Sequence, residues 1–170
     1  INYSTYNKLI KNIILDKKRS KSSQPTKLKL TLVEEIKDNW WPSDWPLADR
    51  NYTYGAPITR LPINSNSSLS SAMNPNDDLM NMIRTIAYNK NIKIVLNTEE
   101  HSFYSSLISY INPIYVHYSP SIHALISLAN SESHNFTAEV LLRNASGSWK
   151  VEIATKRLLK WLKHNNIPTN

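Results

Sequence analysis

Two polar side chains, the Ser133 hydroxyl and the Asn135 amide, stand two positions apart between the apolar stretches Ile122 to Ala129 and Phe136 to Leu142. In an extended turn alternate residues face the same way, so the pair can address one cleft. A hydroxyl both donates and accepts. Ser133 can therefore pass a proton between an active-site amine and a departing nitrogen, while Asn135 accepts from that amine and donates to a substrate carbonyl. Neither group is a nucleophile without an activating base. No Ser of this chain is followed three residues later by Lys, and no Lys-Thr-Gly or His-Thr-Gly triplet occurs. Ser133 and Asn135 thus read as one wall of a catalytic constellation whose nucleophile and base come from elsewhere.

Other chemistries find less support. The five histidines, His101, His117, His123, His134 and His164, include no His-x-x-x-His pair, so no metal site and no cofactor are expected. A Ser-His-Asp triad needs no neighbouring members, but there is no Gly-x-Ser-x-Gly, and two glycines are few for an oxyanion hole. His134 is read as an exposed turn residue rather than an independent base. With no cysteine, disulfides and thiol catalysis drop out.

The elements that must position the pair are helical. Ser119 is expected to cap a helix with Pro120 in its first turn and Ile122, Leu125, Ile126, Leu128 and Ala129 on one face. Asn130 to His134 breaks it. A second helix starts at Asn135 with Phe136, Val140 and Leu141 on one side. A third, from Ser148, carries Val151, Ala154, Leu158, Trp161 and Leu162 opposite Lys150, Lys156, Lys160 and Lys163.

Upstream the pattern is mixed. Tyr6, Leu9, Ile10, Ile13 and Ile14 recur at helical spacing, and Leu28, Leu30 and Leu32 alternate as in a strand with one apolar face. Asn39 to Pro46 holds three tryptophans and two prolines, which predicts an ordered, packed loop rather than a helix. Tyr52 to Asn64 reads as extended, with Gly55 where the backbone approaches closely or φ is positive. Ser65 to Ser71 reads as a polar linker. Pro75 to Asp78 caps a helix with Leu79, Met82, Ile83, Ile86 and Ala87 inward and Arg84 and Lys90 exposed. Ile92 to Leu96 and Pro113 to Tyr118 read as strands, and Ser102 to Ile111 is ambiguous.

At 170 residues and 41% apolar content the chain can form one full core or two small ones. It begins at Ile1 and ends on Asn165 to Asn170, and both ends read as cuts through a longer protein. No apolar run approaches the roughly 18 residues of a spanning helix, which leaves a soluble or peripheral protein. The net charge of +7 draws on Lys17, Lys18, Arg19, Lys21, Lys27 and Lys29, largely in a Ser/Lys/Gln-rich connector that reads as a solvated loop. A general attraction to anionic polymers, cell wall included, is as much as that charge supports. The alternative is a non-catalytic module binding nucleic acid or glycan through this cluster and a Trp40, Trp41 and Trp45 platform.

Three stretches resemble the low-molecular-mass class C penicillin-binding proteins, the D-Ala-D-Ala carboxypeptidase/endopeptidase family, in that family's order. Trp41-Pro42-Ser43-Asp44-Trp45-Pro46 with Asp49 is similar to its tryptophan loop, and Tyr54-Gly55-Ala56-Pro57 through Asn64-Ser65-Asn66 to its Tyr-Gly-Ala-Pro segment and following asparagine. Ser121 to Leu125, then Asn130, Ser133, Asn135, Ala138, Glu139, Leu141, Leu142 and Arg143, is similar to its helix and S-x-N block. The likeness spans roughly residues 12 to 167 and is most specific in this last block. The family usually has Asp where this chain has His134, whose side chain is expected to point away from the reacting bond.

The resemblance implies an α+β fold, part of a β-lactamase/transpeptidase-like (penicillin-recognising) domain. A compact inserted α+β region would cover 1–117 and a helical part with the S-x-N motif 118–170. It implies a serine hydrolase that acts on peptidoglycan stem peptides ending in D-Ala-D-Ala through an acyl-enzyme, is inhibited by β-lactams and does not bind nucleic acid. Ser133 would relay the proton and Asn135 would bind substrate. It further implies a periplasmic, cell-envelope location with peripheral membrane association. The nucleophile motif would precede Ile1 and the third motif would follow Asn170.

Overall fold

The computed structural model describes residues 2–19, 28–100 and 115–169. The Leu28, Leu30, Leu32 alternation makes strand β1 (Leu28–Glu34), which pairs in parallel with β2 (Ile94–Glu100), Leu28 opposite Ile94 and Glu34 opposite Glu100. A parallel pair needs a long crossover. Here the connection carries the tryptophan loop and helix α2 (Pro75–Tyr88), which packs with α1 (Tyr3–Arg19) to form the first core. Tyr6, Ile10 and Ile13 from α1 meet Leu79, Ile83 and Ile86 from α2 and Leu28 from β1, with Leu30, Leu32, Ile94 and Leu96 packed against them. The helical spacing of α1 and α2 therefore reports a real buried face, and the fold is α+β.

Three helices form the second part: α3 (Ile122–Ser131), α4 (Asn135–Ser146) and α5 (Val151–His164), with α4 touching both of the others. Gly147 ends α4 in the left-handed region at φ 66, where a glycine pays no steric cost, and its N–H donates to the Arg143 carbonyl. Arg157 Nη1, from α5, donates to the Ser146 carbonyl at 2.6 Å and satisfies another of the helix's last acceptors.

Several sequence expectations shift. Ser121, not Ser119, caps α3, its hydroxyl accepting from the Ala124 N–H, while Pro120 lies ahead of the helix. The third helix begins at Val151 rather than Ser148. Lys90 lies past the end of α2, and β2 starts two residues later than Ile92, whose N–H instead closes onto the Ala87 carbonyl. Tyr115 to Tyr118 is not a strand: it has no strand partner among the described residues, and Val116 and Tyr118 are exposed. Pro113, Ile114 and Ser102 to Ile111 lie outside the described residues.

The Tyr52 to Asn64 stretch is not extended throughout. It opens with a 3-10 turn over Thr53–Gly55, becomes extended at Ala56, and ends in Asn64, Ser65 and Asn66, all with positive φ. Ser65 to Ser71 is more than a linker. Asn66 is buried, donating to the Pro57 carbonyl and the Thr59 hydroxyl at 2.7 Å each, and Ser67 bridges Ser71.

Candidate functional site

The joint between α3 and α4 is made by a reversal at Ser133, whose φ is 48, while the His134 N–H still donates to the Ala129 carbonyl at 3.1 Å. Ser133 is exposed and its hydroxyl makes no hydrogen bond among the described residues. His134 is not an exposed turn residue. It is half-buried and caps α4: Nδ1 accepts from the Thr137 N–H at 3.3 Å and lies 2.6 Å from the Thr137 hydroxyl. Accepting that N–H requires an unprotonated Nδ1, so the ring is held by the helix start and its base is committed to capping. An Asp here could accept the same N–H.

Asn135, the first residue of α4, donates through Nδ2 to the Tyr54 carbonyl at 3.2 Å. Two segments 81 residues apart in sequence thereby meet. Tyr54 lies in the Thr53–Gly55 turn; its ring stacks on Tyr52 at 5.3 Å and 4°, and its hydroxyl donates to Asp49 Oδ1 at 3.3 Å. Local desolvation and then the Asp49 carboxylate push the Tyr54 phenol above its usual pKa. Both tyrosines are exposed, so the surface beside Asn135 is aromatic with a carboxylate at its edge.

Close backbone approach, not positive φ, explains Gly55: a Cβ there would collide with the Asp49 carbonyl. The Gly55 carbonyl accepts from Trp41 Nε1 at 2.9 Å, and Trp40 Nε1 donates to the Glu35 carbonyl at 2.9 Å. Trp40 and Trp41 are buried with their indole N–H groups satisfied, so neither offers a face to a base or a sugar. Of the basic cluster, Lys29 is exposed on β1, while Lys21 and Lys27 lie outside the described residues.

Toward the other end of α4 is a closed polar ring that sequence reasoning missed. Arg143, 0% exposed, donates from Nη1 to the Asn39 carbonyl at 2.6 Å and from Nε to Glu139 Oε2 at 3.2 Å. Asn39 Nδ2 donates to Glu35 Oε1 at 2.7 Å, and Glu35 Oε2 accepts from Arg60 Nη2 at 2.9 Å and Nε at 3.2 Å. The guanidinium carbons of Arg60 and Arg143 then lie 4.3 and 5.4 Å from the Trp149 ring centroid, which closes the circuit. Burial lowers the Arg143 pKa against the pull of Glu139, and it raises that of Glu139 despite Arg143. The i, i+4 spacing of Glu139 and Arg143 was visible in the sequence; their shared burial was not.

Glu34, also buried, anchors the loop from the end of β1. Its Oε1 accepts from the N–H groups of Glu35 and Arg60 at 2.8 and 2.7 Å, and its Oε2 from that of Leu61 at 2.9 Å. Among the described residues no group of three or more His, Asp or Glu could hold a metal ion, and no helix is long and apolar enough to cross a membrane. Compared with family models, curated proteins and solved structures, the chain matches none.

Proposed function

We propose that this chain supplies the S-x-N wall of a serine D-alanyl-D-alanine carboxypeptidase/endopeptidase, within a transpeptidase-like, penicillin-recognising domain that carries a compact α+β insertion. The observation behind this reading is the Asn135 to Tyr54 hydrogen bond, which joins the S-x-N block to the Tyr-Gly-Ala-Pro segment, two of the three stretches that carry the resemblance. Asn135 spends one Nδ2 hydrogen on Tyr54 and keeps the other for a substrate carbonyl, with Oδ1 free to accept from a catalytic ammonium. Exposed Ser133 has the hydroxyl a proton relay needs.

On this reading a Ser activated by Lys, both outside residues 1–170, attacks the D-Ala-D-Ala carbonyl. Ser133 hands a proton to the leaving D-alanine nitrogen, and water resolves the acyl-enzyme. The substrates are peptidoglycan stem peptides in the periplasm, and β-lactams acylate the same Ser.

The test is to extend the coding sequence on both sides and look for a fluorescent-penicillin adduct by intact mass. A single adduct, lost when an upstream Ser-x-x-Lys serine is replaced by Ala, supports the reading. Ser133→Ala is then expected to slow acylation by about 10²-fold or more without loss of fold. No adduct, or no such motif in the extended protein, overturns it, as does hydrolysis of a D-Ala-D-Ala peptide by residues 1–170 alone.

A further inference from the structure

We infer that Arg143 is a positioning residue for Asn135, clamping α4 to the tryptophan loop so that the Asn135 amide is presented in one orientation. The inference rests on the functional reading above for its activity readout.

The argument is mechanical. Asn135 and Arg143 lie on the same helix, eight residues or about 12 Å apart along its axis. Each bonds to the segment between Lys37 and Ile58, Asn135 to the Tyr54 carbonyl and Arg143 to the Asn39 carbonyl. That segment is internally tied. Trp41 Nε1 reaches the Gly55 carbonyl, the Ile58 N–H reaches the Trp40 carbonyl at 2.7 Å, and the Arg50 guanidinium lies 4.6 Å from the Trp41 ring centroid. A helix held at one end can pivot or roll, whereas one held at two points against a single rigid segment cannot.

The two attachments are unequal. The Asn135 bond is exposed, so water competes for both of its partners. The Arg143 bond is charge-assisted and part-buried, with the arginine itself fully covered within the Asn39, Glu35, Arg60 and Trp149 ring. Arg143 therefore sets where Asn135 sits, and the Asn135 contact follows. One guanidinium nitrogen, Nη2, is buried without a hydrogen-bond partner among the described residues, so the seat of Arg143 carries the cost of an unsatisfied donor.

The experiment uses the extended protein with its nucleophile and measures penicillin acylation for wild type, Arg143→Lys, Trp149→Phe, Asn135→Ala and Asn135→Ala/Arg143→Lys. Trp149→Phe shrinks the ring that packs on the Arg60 and Arg143 guanidiniums and so loosens the seat of Arg143 without removing its charge, which lets it report even where Arg143→Lys fails to fold. Both single variants of the clamp are expected to label at one adduct per chain, with acylation slowed about 10- to 100-fold. The double variant should be no slower than Asn135→Ala, because Arg143 acts through Asn135. Additive losses, or wild-type rates in both clamp variants, overturn the inference.

In the same proteins, labelled with ¹⁵N at asparagine, the Asn135 side-chain amide signal should shift or broaden in both clamp variants. An unmoved signal refutes the clamp whatever the activity. A wild type that forms no adduct refutes the functional reading, and the amide signal then decides the clamp by itself.

Discussion

Glu34 and Glu139 are carboxyls whose burial outweighs their hydrogen-bond and arginine partners, so both titrate above the ordinary 4.5. The folded chain therefore binds their protons more tightly than the unfolded chain does. Stability from this source is absent well above the raised values, grows as pH falls through them, and is complete below 4.5. The contribution of these two groups to the thermal midpoint is expected to grow as pH falls toward 4.5, and Glu139→Gln should remove the Glu139 share of that rise. Gly55 is the other sensitive position. Gly55→Ala drives a methyl into the Asp49 carbonyl and is expected to cost about 1–3 kcal/mol in urea unfolding, since neither backbone can withdraw freely.

The start of α4 depends on one imidazole. With His134 as its N-cap, His134→Ala is expected to cost about 1 kcal/mol, whereas His134→Asp should retain most of it because a carboxylate accepts the same Thr137 N–H. Chemical denaturation of the two variants checks this; equal losses would mean that the ring stabilises by packing and not by capping. In the first part, Ile83 is 1% exposed between α1 and the sheet, and Ile83→Ala should cost about 2–5 kcal/mol through lost burial plus a cavity.

Two uncovered apolar surfaces mark the whole molecule. Ile122 and Ile126 on α3, and Leu158, Leu159 and Trp161 on α5, remain exposed, Trp161 to 57%. Large apolar side chains exposed on the two helices that flank α4 mark surface that a packing partner would cover. On the proposed reading the remainder of the penicillin-recognising domain covers it. Trp161 emission, isolated by subtracting Trp161→Phe, should therefore be quenched readily by acrylamide in residues 1–170 and much less in the extended protein. Equal quenching in both would count against that domain assignment.

Local periodicity carried a good deal. Apolar spacing predicted α1, α2, α4 and α5 and the Leu28 to Leu32 strand; in α1, α2 and β1 it marks the face turned to the core, whereas Leu158 and Trp161 of the α5 stripe stay exposed. Three tryptophans interspersed with two prolines implied a packed loop, and Trp40 and Trp41 are buried. Gly55 was legible as a point of either close approach or positive φ, and the nearby Asp49 carbonyl decides for the first. Ser133 and Asn135 stood out by type and spacing, and Asn135 bonds to Tyr54, in another of the stretches that carry the resemblance. What tertiary structure alone decided are the long-range partners. His134 is the local exception, a helix cap rather than a turn residue because its Nδ1 lies against Thr137 three residues on. Glu34 and Glu35 drew no reading from the sequence, and Arg60 and Arg143 only one as members of longer stretches, since no local pattern encodes a ring closed between residues more than 100 positions apart. Burial of charge is a property of what comes to rest above it, and that is settled only when α4 docks on the tryptophan loop.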